Sequence, residues 1–109
     1  YFFVETMEKM VKFESVFGDL TMQVGDQIRE PQPWVKWSVT TELDTSDYWD
    51  EVWAAITCHR TQLPGFEKLQ QLPEEDRAFL FGNQTLYRAF SFVNCGQGME
   101  QDLFTGLRE

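Results

Sequence analysis

A mixed α/β architecture within one domain is what this sequence predicts, on three observations. Trp37, Val39, Thr41 and Leu43 alternate with Ser38, Thr40 and Glu42, the period of two that belongs to a strand with one buried face. On either side of that strand, Met7 to Phe17 and Tyr48 to Gln62 carry apolar residues at helical spacing. A length of 109 residues allows one domain with a modest core, burying roughly 65% of the unfolded chain's surface.

Tyr1 to Val4 reads as a short buried strand, and a helix is expected from Thr6 to Phe17, stopped by Gly18. Leu20 to Glu30 mixes Gly25 with isolated apolar residues and is read as a loop or weak helix. Pro31-Gln32-Pro33 must be extended, because each proline restricts the residue before it, and it divides the domain into two halves. After the Trp37 to Leu43 strand, Asp44-Thr45-Ser46-Asp47 offers helix caps, and Asp47, Asp50 and Glu51 suit the dipole of a first turn. A helix from Ser46 to Gln62 follows. On it Tyr48, Val52, Ala55, Ile56 and His59 share about a quarter of the circumference, with Gln62 beside them. Trp49 and Trp53 form an adjoining aromatic ridge, so this helix is expected to be mostly enclosed with His59 facing inward. Leu63-Pro64-Gly65 reads as its end, and Pro73 followed by Glu74, Glu75 and Asp76 as the start of another helix carrying Phe79 and Leu80 to Gly82. Leu86 to Val93 is a strand or extended arm containing Arg88. Asn94, Gly96 and Gly98 form a turn, and the tail Asp102 to Leu107 docks on the body through Leu103 and Phe104.

Composition removes several functional classes. Eighteen acidic side chains against nine basic ones give a net charge of −9, which repels a phosphate backbone or an anionic bilayer, so no nucleic acid is expected as partner. At 42% hydrophobic and 16% aromatic residues the chain is too apolar to remain disordered. No apolar run approaches the roughly 18 residues of a membrane span, and no membrane partner is expected. One histidine, His59, and two distant thiols, Cys58 and Cys95, cannot assemble the ligands of a structural zinc site, so no cofactor is expected in this chain. Both thiols are read as reduced, which places the protein in the cytoplasm. Cys58 lies about 100° around the helix from His59, so the two form no nucleophile and base pair. The acidic run at Glu74 reads as a dipole effect and the four tryptophans as core. His59 with Gln62 is the best polar pair. It is either a core imidazole donating to a backbone carbonyl or one wall of a pocket.

The run Thr40-Thr41-Glu42-Leu43-Asp44-Thr45-Ser46-Asp47-Tyr48-Trp49, then Ala54-Ala55-Ile56 and Cys58-His59-Arg60-Thr61-Gln62, resembles the later part of the PIG-L/LmbE family of zinc-dependent N-deacetylases. There a strand ends in Asp, an Asp-Tyr pair opens a helix, and an Ala-rich helix closes on His-Arg-Ser-Gln. Leu86-Tyr87-Arg88-Ala89-Phe90-Ser91 is similar to that family's Tyr-Arg-Val-Phe-Ser segment, and Asp102-Leu103-Phe104-Thr105-Gly106-Leu107 to its Asp-Leu-Phe-Glu-Gly-Leu ending. The likeness covers residues 37 to 109. The family's zinc loop, Ala-His-Pro-Asp-Asp-Glu, and its later histidine ligand do not occur here.

The resemblance therefore implies the C-terminal segment of a Rossmann-like deacetylase fold, appearing as a mixed α+β piece in isolation. Its partner is then a missing N-terminal half or a partner subunit. The opening at Tyr1 rather than at methionine carries the same expectation of a longer reading frame. The implied chemistry is hydrolysis of an N-acetyl group on a glucosamine-type sugar by a zinc-activated water with an aspartate as base, the zinc belonging to the complete enzyme. No catalytic or metal-binding residue transfers to this chain. His59, Arg60 and Gln62, with Arg88, transfer as supports or walls of the substrate pocket. The alternative is a non-catalytic module of the same descent that binds a sugar or a protein through its aromatic surface.

Overall fold

The computed structural model describes residues 1–93 and 98–107. In chain order the elements are β1 (Phe2–Phe3), α1 (Met7–Phe17), β2 (Met22–Val24), β3 (Gln27–Arg29), β4 (Thr41–Asp44), α2 (Trp49–Thr57), α3 (Leu63–Gln70), α4 (Glu74–Phe81) and β5 (Asn83–Tyr87). The chain is a small mixed α+β protein of two compact units, Tyr1–Leu43 with Thr85–Glu109, and Asp44–Gln84. The proline segment expected to divide the chain lies inside the first unit.

The first unit is organised by a three-stranded sheet of order β1-β5-β4. β1 and β5 run antiparallel, with Phe2 opposite Tyr87 and Phe3 opposite Leu86. Val4 continues the pairing: its N–H donates to the Thr85 carbonyl at 3.1 Å, and the Thr85 hydroxyl donates to the Val4 carbonyl at 2.5 Å. Val4, Val39 and Leu86 are the buried apolar side chains here. The expected buried strand at Tyr1–Val4 thus buries only Val4, since Phe2 and Phe3 are 62% and 76% exposed. α1 follows the predicted bounds because its ends are encoded. Thr6 Oγ1 accepts from the Lys9 N–H at the start, and Gly18 at φ 80° donates its N–H to Glu14 at the stop. Its buried member is Lys9, while Met7 and Val11 stay exposed.

Two readings in this unit need correction. Leu20–Glu30 holds a hairpin of β2 and β3, in register Met22 to Arg29, around a Gly25-Asp26 turn with Gly25 at φ 66°. Both strands are exposed throughout and three residues long, so they present no alternation to read. The Trp37–Leu43 strand is shorter than its pattern. The Ser38 N–H and hydroxyl both donate to the Val35 carbonyl, at 3.0 and 2.7 Å, and close a 3-10 turn over Lys36–Ser38. Trp37 is therefore 86% exposed instead of core, and the alternation survives only from Val39 onward.

The second unit is helical. The predicted Ser46–Gln62 helix opens as a 3-10 turn at Ser46–Tyr48, continues as α2 and ends at Thr57. Leu63-Pro64-Gly65 opens α3 instead of closing α2. Proline in a first turn forfeits no hydrogen bond, because the N–H it lacks has no partner inside the helix. α4 starts after Pro73 with acidic residues in its first turn, and ends where the Gly82 N–H donates to Ala78 at 2.8 Å. Leu69, Leu72 and Leu80 are the buried apolar residues of this unit. Trp49 stacks on Trp53 at 6.0 Å and tilts against Phe81 at 5.3 Å, so the aromatic ridge forms.

Beyond β5, which begins three residues earlier than read, Phe90 and Phe92 meet edge to face at 5.5 Å and are 75% and 94% exposed. Of the expected Asn94, Gly96 and Gly98 turn, the first two lie outside the described residues, as does Cys95. The tail is a run of turns in which Asp102 Oδ1 accepts from the Phe104 N–H at 2.8 Å. Leu103 and Phe104, expected to dock the tail, are 42% and 51% exposed. Its close approach is at Gly106, φ 86°, where a Cβ would stand 3.1 Å from the Val93 carbonyl. Among the described residues no helix is long and apolar enough to cross a membrane.

Candidate functional site

The strongest concentration of buried polar groups surrounds Glu100. This residue makes a parallel bridge to Thr41. Its N–H donates to Thr40 at 2.9 Å, and its carbonyl accepts from the Glu42 N–H at 2.8 Å. The main chain thereby fixes where the side chain stands, with the residue only 2% exposed. Oε2 accepts from the Thr41 hydroxyl at 2.8 Å and from the Tyr1 phenol at 3.0 Å, while Oε1 pairs with an Arg88 Nη. The Arg88 N–H donates to Thr40 Oγ1 at 2.6 Å. A carboxylate taken out of water this completely needs such a set of donors. Burial, with the Glu100 carboxylate beside it, pushes the Tyr1 phenol above its ordinary value.

Arg88 sits in the first unit with its side chain 8% exposed against Glu100. His59, Arg60 and Gln62 lie on the exposed turn between α2 and α3. The inward placement expected for His59 is corrected: α2 stops two residues before it, so the apolar stripe does not reach it, and Tyr48 and Ala55 of that stripe are themselves exposed. The imidazole does engage a backbone carbonyl, with Nδ1 3.0 Å from Ala55 O, but on the surface. His59 and Gln62 are joined through the main chain, the Gln62 N–H donating to the His59 carbonyl at 2.9 Å. His59→Ala is therefore expected to cost less than about 1 kcal/mol in chemical unfolding, well short of a core histidine. Sequence reasoning misses Glu100 and Thr41, because nothing local marks partners that stand 59 positions apart.

A second buried charge, Lys9, is 6% exposed. Burial pushes its ammonium pKa below the ordinary 10.5, against the pull of the Glu5 and Glu42 carboxylates, and burial likewise pushes the Glu5 carboxyl up. A lysine with a lowered folded pKa burdens the fold while protonated. That burden is lifted as pH climbs from the lowered value toward 10.5. Tyr1 acts the other way, its raised pKa removing stability once pH passes 10.0. Stability by urea unfolding is thus expected to rise with pH in the alkaline range below 10.0, and Lys9→Met to flatten that rise.

Among the described residues no three of His, Cys, Asp and Glu converge as metal ligands. Cys58 is a free, exposed thiol whose sulfur lies 3.3 Å from the Ala54 carbonyl. The chain matches no protein-family model, no curated protein and no solved structure.

Proposed function

We propose that this chain forms the C-terminal portion of a zinc-dependent N-deacetylase of the PIG-L/LmbE type, which hydrolyses the N-acetyl group of a glucosamine-type substrate when joined to its zinc-binding half. The observation that carries this reading is the convergence on Glu100. Thr40 and Thr41 belong to one of the segments that resemble the family, Arg88 to a second, and Glu100 stands two residues before a third. Short likenesses scattered along a chain gain weight when their members share one buried polar cluster, because a common structural duty explains why they occur together. In this reading the sheet is the edge of a larger Rossmann-like sheet, and the exposed Phe2, Phe3, Trp37, Phe90 and Phe92 are apolar surface that the zinc-binding half covers. His59, Arg60 and Gln62 reach the substrate from their exposed turn. Arg88 contributes through the segment it anchors. Zinc and the base that serves it belong to the other half, and the setting in this reading is cytoplasmic.

The same exposed aromatics favour a second reading, a non-catalytic module binding a sugar or a protein. The coding sequence upstream of Tyr1 separates the two. An in-frame Ala-His-Pro-Asp-Asp-Glu motif is expected, whereas a nearby start codon with no such motif would favour the module.

A further inference from the structure

We propose that a cleft in the second unit binds a small α-amino acid, with the ligand's carboxylate on Arg77 and its ammonium on Glu74. The cleft measures about 150 Å³, and its lining includes Thr45, Ser46, Trp49, Glu74, Arg77 and Phe81. Glu74 is the first residue of α4 and Arg77 follows three positions later, so the two side chains rise from neighbouring points on one helix face. Opposite charges at that spacing ordinarily close on each other. Among the described residues these two do not. The Arg77 guanidinium lies over the Trp49 ring, its carbon 5.2 Å from the centroid. Its Nε is shielded from solvent and has no hydrogen-bond partner, and Glu74 enters no ion pair.

A guanidinium keeps its charge at any working pH, and among the described residues the two Arg77 Nη enter no hydrogen bond or ion pair, so a ligand that brings a carboxylate meets open donors. The two Nη present parallel donors that match the two oxygens of a carboxylate. The Thr45 and Ser46 hydroxyl protons are already given, to the Phe81 carbonyl at 2.7 Å and to Asp44 Oδ1 at 2.6 Å. Their oxygens keep lone pairs that join Glu74 in receiving an ammonium. Charge selects the ligand class. Asp44, Asp47, Asp50, Glu51, Glu75 and Asp76 belong to the same unit of a chain with net charge −9, which repels a simple anion. A zwitterion carries no net charge and answers both Arg77 and Glu74. Trp49 and Phe81 give an apolar wall for a side chain of a few carbons. The binding proposed for this cleft does not depend on the deacetylase reading.

The test is a titration of isotope-labelled protein with L-alanine, following the Arg77 Nε–H and Trp49 indole N–H resonances. Both are expected to move saturably. Affinity is expected to fall by about tenfold or more for alaninamide, which lacks the carboxylate, and for N-acetylalanine, which lacks the ammonium. Glu74→Gln, at an exposed position, is expected to weaken L-alanine by about tenfold and to bind N-acetylalanine no more weakly than the parent does. No saturable movement up to about 50 mM L-alanine, or equal affinity for L-alanine and N-acetylalanine, overturns the proposal. The ligand series uses the unaltered protein, so its outcome is independent of any variant's folding.

Discussion

Glu100→Ala is expected to lower the unfolding free energy by about 3 to 5 kcal/mol, a large part of what a domain of this size possesses. The loss comes less from the missing contact than from what remains behind. Arg88, 8% exposed at its side chain, keeps its charge without the carboxylate that answers it, and the hydroxyl protons of Thr41 and Tyr1 lose their acceptor. A paired replacement separates these contributions. In Glu100→Leu with Arg88→Met both charges leave together, and stability should return to within about 1 to 2 kcal/mol of the parent, because well-packed apolar groups avoid the desolvation that the ion pair bears. Chemical unfolding of the two single variants and the double variant measures this directly. A Glu100→Ala loss below about 1 kcal/mol would mean that the pair behaves as a surface contact.

The second large effect is expected at Leu80→Ala, at about 2 to 5 kcal/mol. Leu80 is 2% exposed near the end of α4, one of the few buried apolar side chains of its unit. Truncation removes its transfer free energy and leaves a cavity that a small helical unit closes only in part. Leu80→Met keeps most of the volume and should cost less than about 1.5 kcal/mol. Phe79 stands beside it in sequence but is 47% exposed, so Phe79→Ala should cost less than Leu80→Ala despite removing a larger group.

The features legible in the sequence are those that neighbouring residues decide. α1 and α4 have encoded ends: Thr6 and Gly18 for one, Pro73 with its acidic run and Gly82 for the other. Local capping chemistry is enough for both. The break between α2 and α3 is harder to place, because proline followed by glycine serves equally to stop a helix or to sit in the first turn of the next, and only the turn through His59 and Gln62 decides which. An inward His59 follows only if the helical period is carried two residues past the end of the helix. The β2–β3 hairpin has no buried face, so no hydrophobic alternation records it. The Glu100 cluster lies beyond sequence reasoning for a different reason. Its partners stand 99, 59 and 12 positions away, and only the sheet brings them together. Arg88 is marked in the sequence by its likeness to a family segment, and its carboxylate partner comes from the fold.

The deacetylase reading is tested most directly by acetate release from an N-acetylglucosamine-type substrate, measured on the polypeptide encoded by the complete reading frame, with zinc bound and again after chelation. The expected result is acetate release that chelation abolishes and added zinc restores, and a lower turnover in Arg60→Ala with zinc content and melting temperature unchanged. A zinc-loaded, folded polypeptide that binds such a substrate without releasing acetate would contradict that reading and leave the binding module in its place.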